Sequence, residues 1–458
     1  MNKQRFVALL LALSLSGFAQ QEPPLNPPKP DARLKADVLL IVAHPDDETG
    51  VAAYLAQIMD QGKRVAVVYL THGEAGHNNM GRERGPSLGA AREMELRHAL
   101  TSFGVQNVWF LGGRDTPSQD VLQSLANWHH GQALEDLVRI VRITRPYVIL
   151  TWLPGIFIGE NHGDHQAAGV IASEAFDIAG DPATFPAQLA APRHVNETLL
   201  EGLQPWQPQK LYFFSDSSDD KQFRGKGPSY PVTAISPKKH LPYWRIAMDA
   251  FRFHRTQYNS YIEKLEKMSD DQLAKLAGAD QDGWASPLQF IFGKSLVPAT
   301  ATGDVLDGIN LGPLAYVRPQ GSPPPEQTGI SATIGGPWSF YADFRRAHGL
   351  QQLPSSEIPE IAIAAGATLQ APLLVSNYSA QPVEASISTT LPEGWAQKTA
   401  STRYSLSPGE SFPIEIDLVA PSKKNDQPVE IVFNVSSSSQ AVAAVRMRVR
   451  VRTGGLPQ

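Results

Sequence analysis

The chain contains no cysteine, so disulfide bonds contribute nothing to its stability and a lipid anchor on a cysteine is excluded. Any zinc site must therefore be built from histidine and carboxylate side chains. Neither sign of charge dominates, because 40 Lys and Arg residues stand against 45 Asp and Glu residues, giving a net charge of -5. Such a chain has no large positive field, and we predict no binding to nucleic acid.

Long apolar runs are scarce. Near the N-terminus, residues 6–15 form a run about half as long as the roughly 20 residues that a membrane-spanning helix needs. Lys3 and Arg5 precede it and small residues follow it, which is typical of a secretory signal. We predict a signal peptide over residues 1–20, no transmembrane segment, and export to the periplasm or the extracellular space.

The length of 458 residues predicts two or three domains. A proline-rich leader covers residues 21–33, and residues 34–265 then alternate between continuous apolar segments and amphipathic helices. This pattern predicts an α/β fold with a mostly parallel sheet and helices on both faces. The predicted strands are 38–43, 64–70, 107–111, 147–153 and 210–215, and the predicted helices are 51–62, 87–104, 131–145, 165–179 and one long stretch from 243 to 268.

The C-terminal part of the sequence has a different pattern. Residues 266–354 show no clear periodicity, and we interpret them as an irregular extension or linker. Residues 355–458 contain short alternating segments separated by turn residues, which predicts an immunoglobulin-like β-sandwich. The last alternating segment carries an arginine at every second position, for which a solvated strand face is favoured over an anion-binding stripe: Arg446, Arg448, Arg450 and Arg452.

A cluster of polar residues follows the first predicted strand in the stretch LLIVAHPDDETG, residues 39–50. Ligands of parallel sheets bind at the carboxyl ends of the strands. If the chain turns helically at Pro45, the side chains of His44 and Asp47 converge and Asp46 points aside. A divalent metal would stabilise these adjacent carboxylates. The alternative is that Asp46 or Asp47 caps the following helix.

A second cluster follows the fourth predicted strand and comprises His162, Asp164 and His165. It lies at the start of a helix, at the sheet edge where the first cluster also lies. A third metal ligand is therefore available there. The alternative is that Asp164 caps the helix and that both histidines are simply exposed.

Four motifs, each at the end of a predicted strand, together resemble the LmbE/PIG-L family of zinc-dependent N-acetylglucosaminyl deacetylases: AHPDDE, LTHGEAG, FLGGRDTP and HGDHQAAG. The resemblance covers roughly residues 36–260 and implies a Rossmann-like fold for this part of the chain. The C-terminal domain lies outside it and resembles the accessory domains of secreted glycan-active enzymes.

The family motifs imply a role for each polar residue of the two clusters. His44, Asp47 and His165 are the implied Zn²⁺ ligands, and Asp46 is the implied general base. His162 is implied to stabilise the tetrahedral intermediate and to help protonate the leaving amine. The sequence has HGDH where many relatives have HPDH, so that a looser loop is expected.

Four further residues are predicted to bind substrate: Glu74, Arg92, Asp115 and His254. For each, the sequence leaves a structural alternative open. Glu74 could support the site indirectly, Arg92 could form a helical ion pair, Asp115 could cap a turn, and His254 could be a core histidine.

The resemblance implies a zinc-dependent hydrolase that removes an N-acetyl group from an amino sugar or glycoconjugate, and the N-terminal segment predicts that it is exported. An amidase or O-deacetylase acting on another small conjugate is the enzymatic alternative. An inactive glycan-binding protein is the alternative from a different class. The C-terminal domain could contact a polysaccharide or a protein.

Overall fold

The computed structural model describes residues 30–157, 162–189, 203–217, 222–278, 283–356, 358–399, 403–438 and 440–452. The predicted signal peptide and most of the predicted leader lie outside these residues. Among the helices described, none has both the length and the apolar character that a membrane crossing requires.

A six-stranded sheet forms the centre of the N-terminal part. Its strand order is β3-β2-β1-β4-β5-β8, and its strands are parallel except for β8, which pairs antiparallel with β5. The middle strands are buried along their whole length because helices cover both faces. The strands are β1 (Val38–Val42), β2 (Val65–Thr71), β3 (Asn107–Gly113), β4 (Val148–Trp152), β5 (Lys210–Phe214) and β8 (Ile291–Ser295), and β6 (Ser229–Tyr230) pairs separately with β7 (Leu288–Gln289).

The helices of the N-terminal part are α1 (Ala52–Asp60), α2 (Pro86–Ser102), α3 (Val121–Asn127), α4 (His130–Thr144), α5 (Gly163–Ile178), α6 (Tyr243–Phe251), α7 (Arg255–Glu266) and α8 (Asp270–Ala277). The predicted α/β class and parallel sheet are confirmed. The single predicted helix from 243 to 268 is wrong, because the chain breaks between α6 and α7 and places His254 in the break.

Two further sheets form the C-terminal sandwich and enclose a second hydrophobic core. Their strand orders are β10-β17-β16-β12-β14 and β13-β15-β11-β9. The predicted all-β class is confirmed for this part. The strands are β9 (Ile330–Ile334), β10 (Glu360–Ala364), β11 (Thr368–Asn377), β12 (Val383–Thr390), β13 (Ala396–Gln397), β14 (Arg403–Leu406), β15 (Ser411–Val419), β16 (Asn425–Ser437) and β17 (Gln440–Arg452), and α9 (Pro337–Ala347) lies between β9 and β10.

The C-terminal part contacts the start of α5 and the loop before α3. The Tyr341 hydroxyl on α9 donates to Oε1 of Gln166, a fully buried residue of α5, over 2.6 Å. The Gln119 side-chain amide donates to the backbone carbonyl of Ala362 in β10 over 2.8 Å. Residues of α9 and β10 therefore contact the first turn of α5, which follows His162, and the loop before α3, which packs against that turn.

Candidate metal and catalytic site

The polar clusters meet at one edge of the central sheet because β1 and β4 are adjacent and parallel. His44, Asp46 and Asp47 follow the end of β1, and His162 and His165 lie at the start of α5 beyond the end of β4. This arrangement is the expected one for ligands of a parallel sheet.

The start of α5 packs tightly against the loop before α3 and the first turn of that helix. The Gly163 backbone N–H donates to the carbonyl of Ser118 over 2.7 Å. A Cβ atom at position 163 would lie 2.8 Å from the carbonyl oxygen of Asp120. Glycine at this position therefore permits close packing, and a looser loop is not what the structure shows.

The Asp47 carboxylate connects the two motifs. Its Oδ2 atom accepts hydrogen bonds from the backbone N–H groups of Ala43 and His44 at 2.9 Å and from the Trp152 indole at 2.8 Å. Its Oδ1 atom lies 3.2 Å from Nε2 of His165 and 3.6 Å from Nδ1 of His44. Burial alone would raise the pKa of Asp47, but His165 and His44 lower it well below the usual value. Asp47 thus directs one oxygen towards both histidines and does not cap the following helix.

His44 is oriented by two buried carboxylates on its other side. Its Nε2 atom lies 3.2 Å from Oδ1 of Asp115 and 3.4 Å from Oδ2 of Asp164. Asp115 also accepts from the N–H of Ala75, and Asp164 accepts from the N–H of Thr116. A proton on Nε2 would leave the lone pair of Nδ1 facing Asp47, as ligating histidines require. Burial alone would lower the pKa of His44, but Asp115 and Asp164 raise it well above the usual value.

The His165 ring stacks on the indole of Trp152, with centroids 4.1 Å apart and an interplanar angle of 4°. Trp152 therefore fixes both His165 and Asp47. The His162 ring packs edge-on against His44 at 4.8 Å. The pKa of His162 is lowered to about 2, mainly because the ring is buried and further because His44 and His165 lie beside it.

The side chains present fit a divalent metal. Zinc bonds of 2.0–2.1 Å in a tetrahedral site place ligand atoms about 3.3 Å apart. The separations of 3.2 and 3.6 Å around Oδ1 of Asp47 are close to that value. Nitrogen atoms of His44, His162 and His165 also lie within 4.8 Å of one another. Two imidazoles and one carboxylate are a donor set that zinc accepts.

Asp46 has an unusual backbone conformation, with φ 136° and ψ -16°. Its Oδ1 atom lies 3.1 Å from the guanidinium of Arg92, which also donates to the carbonyl of Pro45 over 2.9 Å. The Asp46 carboxylate is therefore paired with Arg92 and lies outside the group of His44 and Asp47 contacts. Burial raises the pKa of Asp46, and Arg92 opposes this shift.

A buried network lies behind Asp46. One oxygen of Glu48 accepts from the N–H of Asp46 over 3.1 Å and from the Tyr69 hydroxyl over 2.7 Å. The other oxygen lies 2.7 Å from Nε2 of His254. Burial alone would lower the pKa of His254, but Glu48 raises it above the usual value. The network thus joins the break between α6 and α7 to the first motif.

Comparison with known proteins places this site in a family. The model of the GlcNAc-PI de-N-acetylase family, PIG-L, matches residues 39–176. A 1D-myo-inositol 2-acetamido-2-deoxy-alpha-D-glucopyranoside deacetylase of Thermobispora bispora is 30% identical over 246 residues, which is 48% of this chain and 78% of that protein. The chain belongs to the PIG-L family.

Proteins with the same name from Catenulispora acidiphila and Streptomyces scabiei are 34% and 36% identical over 37% and 35% of this chain. The chain spans 56% and 54% of their lengths, a little more than half. The N,N'-diacetylchitobiose deacetylase of Pyrococcus horikoshii has a similar structure, with 22% identity, a TM-score of 0.39, and coverage of 56% of this chain and 83% of that one.

The four predicted substrate-binding residues make contacts inside the protein. Arg92, Asp115 and His254 are buried, and Asp115 lies against His44. Glu74 is half-buried and accepts from the N–H of Asp115 through Oε1. Substrate binding by these residues stays a prediction.

The sequence analysis missed the contributions of Trp152 and Glu48 to this PIG-L site. A tryptophan at the end of an apolar strand is ordinarily a core residue, so its pattern carries no signal for a ligand contact. Glu48 directly follows Asp46 and Asp47, to which the family motif assigns the base and a metal ligand, and the motif gives no separate role to the third acid. Asp164 does not have the helix-cap role that the sequence leaves open, because its carboxylate accepts from the N–H of Thr116 and lies against His44.

The backbone of Asp46 yields a stability prediction. A non-glycine residue in this conformation lowers the free energy of unfolding by about 1–3 kcal/mol. Glycine avoids this strain but lowers the free energy of unfolding by about 0.4–1 kcal/mol, because it increases the entropy of the unfolded chain. We therefore expect metal-free Asp46→Gly to be more stable than metal-free Asp46→Ala by about 1 kcal/mol, measured by equilibrium urea unfolding.

The exposed helical residue Asp343 provides the matched control. There the order should reverse, with the alanine variant about 1 kcal/mol more stable than the glycine variant. If alanine were also the more stable replacement at position 46, the backbone of Asp46 would not be strained.

Proposed function

We propose that the chain is a metal-dependent hydrolase that removes an N-acetyl group from an amino sugar or glycoconjugate. One observation carries this proposal: Asp47 draws His44 and His165 together, while Asp46 stays beside them with its carboxylate outside the cluster. A ligand set with an adjacent, separate base is what metal-assisted hydrolysis of an amide needs.

Zinc is the metal that we propose, held by Nδ1 of His44, Oδ1 of Asp47 and Nε2 of His165. When bound, it would polarise the acyl carbonyl and lower the pKa of a water molecule. Trp152, Asp115 and Asp164 orient these ligands through the contacts described above. Such supporting contacts fix the tautomer and direction of each ligand.

Asp46 is positioned to accept a proton during the attack of water. Its side chain is 12% exposed, whereas that of Asp47 is 5% exposed. Arg92 holds the Asp46 carboxylate away from the ligand cluster. We propose that His162, packed against His44 at the same edge, helps to protonate the departing amine. Because its lowered pKa leaves the ring neutral beforehand, the proton that it passes on comes from the attacking water by way of Asp46.

The substrate class rests on the relatives. Those aligned above are named as deacetylases of an acetamido-deoxy-glucopyranoside. We propose a substrate that contains N-acetylglucosamine, with another amide or an O-acetyl ester as the alternative.

The test is metal content together with acetate release from substrates that contain N-acetylglucosamine. We expect about one zinc per chain and acetate release by the wild-type chain. Asp46→Asn should retain the metal and lose about 10²–10⁴-fold in kcat, because the base is removed without a ligand. Asp343→Asn, a change on the exposed face of α9, is the control and should behave as the wild type.

Release from O-acetyl esters or other amides alone would transfer the proposal to the alternative substrate class. A chain that binds no metal when zinc is supplied would overturn the hydrolase proposal and favour the glycan-binding alternative. Loss of metal in Asp46→Asn would overturn the separation of base and ligand.

We also propose that the chain is exported, on the basis of Lys3, Arg5 and the apolar run that follows. N-terminal sequencing of the chain recovered outside the cytoplasm should give a start near residue 20. An uncleaved chain retained in the cytoplasm would overturn this proposal.

A further inference from the structure

The general base proposed above has a backbone conformation that its own residue type does not favour. The φ angle of Asp46 is 136°, in a region that residues with a Cβ atom rarely adopt. Such a conformation persists only where surrounding contacts hold it. The contacts that hold Asp46 therefore bear on where its carboxylate lies.

Glu48 provides the first of these contacts. It accepts the N–H of Asp46 over 3.1 Å through the oxygen that also accepts the Tyr69 hydroxyl. Its other oxygen pairs with His254 at 2.7 Å. Glu48, Tyr69 and His254 are all at most 2% exposed. With two partners fixing its carboxylate, Glu48 presents a rigid acceptor to the backbone of Asp46.

Arg92 provides the second contact, from the opposite side of the turn. Its guanidinium donates to the carbonyls of Gly73 and Pro45 and to the Asp46 carboxylate, at 2.8, 2.9 and 3.1 Å. Within the turn, the N–H of Thr49 donates to the Asp46 carbonyl over 2.9 Å. The residue is thus held through its N–H, its carbonyl and its side chain.

The position of His254 is itself fixed by the break between α6 and α7. The N–H and hydroxyl of Thr256 both donate to the Glu95 carboxylate on α2, at 2.8 and 2.7 Å. The break therefore has its own anchor on α2. His254 reaches Glu48 from a segment 206 residues along the chain.

We propose that Glu48 and His254 are positioning residues that act through Asp46. They hold the strained turn in which the Asp46 carboxylate stays beside the metal ligands without joining them. This inference rests on the proposed role of Asp46 as the base. Because His254 is 1% exposed and its Nε2 is already paired with Glu48, it acts on the reaction without touching the substrate.

The test compares His254→Gln with His129→Gln, a change at an exposed histidine just before α4. We expect His254→Gln to lower kcat for acetate release by about 10- to 100-fold while KM and the metal content remain those of the wild type. We also expect the crystal structure of metal-free His254→Gln to show Asp46 relaxed from its positive φ. His129→Gln should change none of these quantities.

If His254→Gln does not fold, Tyr69→Phe replaces it, since it removes one donor to Glu48 and keeps the ring. Tyr69→Phe should lower kcat in the same direction with KM unchanged. A raised KM with unchanged kcat would overturn the proposal and favour substrate contact. A variant with normal kcat and an unaltered Asp46 backbone would overturn it as well. If the wild-type chain releases no acetate, the proposed function fails, but the Asp46 backbone of the variant still decides whether the network holds the turn.

Discussion

The Asp47 carboxylate is the group on which the rest of the site depends. It accepts two backbone N–H groups from the end of β1 and the indole N–H of Trp152 from the end of β4. Three donors on one oxygen compensate for the burial of its charge, and the other oxygen remains directed at His44 and His165. Two motifs more than 100 residues apart therefore meet at one atom, and the adjacent parallel strands β1 and β4 bring them there.

The neighbouring acid has the opposite environment. Asp46 is held in a strained turn and paired with Arg92, so two successive carboxylates have separate surroundings. Backbone strain at such a position is sustained only by the surrounding contacts, which here come from Glu48 and Arg92. The separation of the proposed metal ligand from the proposed base thus follows from backbone conformation as much as from side-chain chemistry.

Much of this arrangement was predictable from the sequence, because continuous apolar runs mark buried parallel strands. The ends of the five predicted parallel strands agree with the structure to within two residues. The alternation in β17 likewise predicted a solvated strand face, and in the structure its arginines are exposed or half-buried while the apolar residues between them are buried. The break at His254 was not predictable, since apolar spacing continues across it. The contacts of Asp164 with Thr116 and His44 were not predictable either, because an acid at a helix start ordinarily caps that helix.

The most direct test of this account is the anomalous diffraction of a crystal grown with zinc. We predict one strong peak about 2.0–2.1 Å from Nδ1 of His44, Oδ1 of Asp47 and Nε2 of His165, with the Asp46 carboxylate outside bonding distance. A peak bonded to Asp46, or one on the other side of His44 between Asp115 and Asp164, would contradict the assignment of ligand and base. A crystal grown with zinc that showed no peak at this edge of the sheet would contradict the metal site itself.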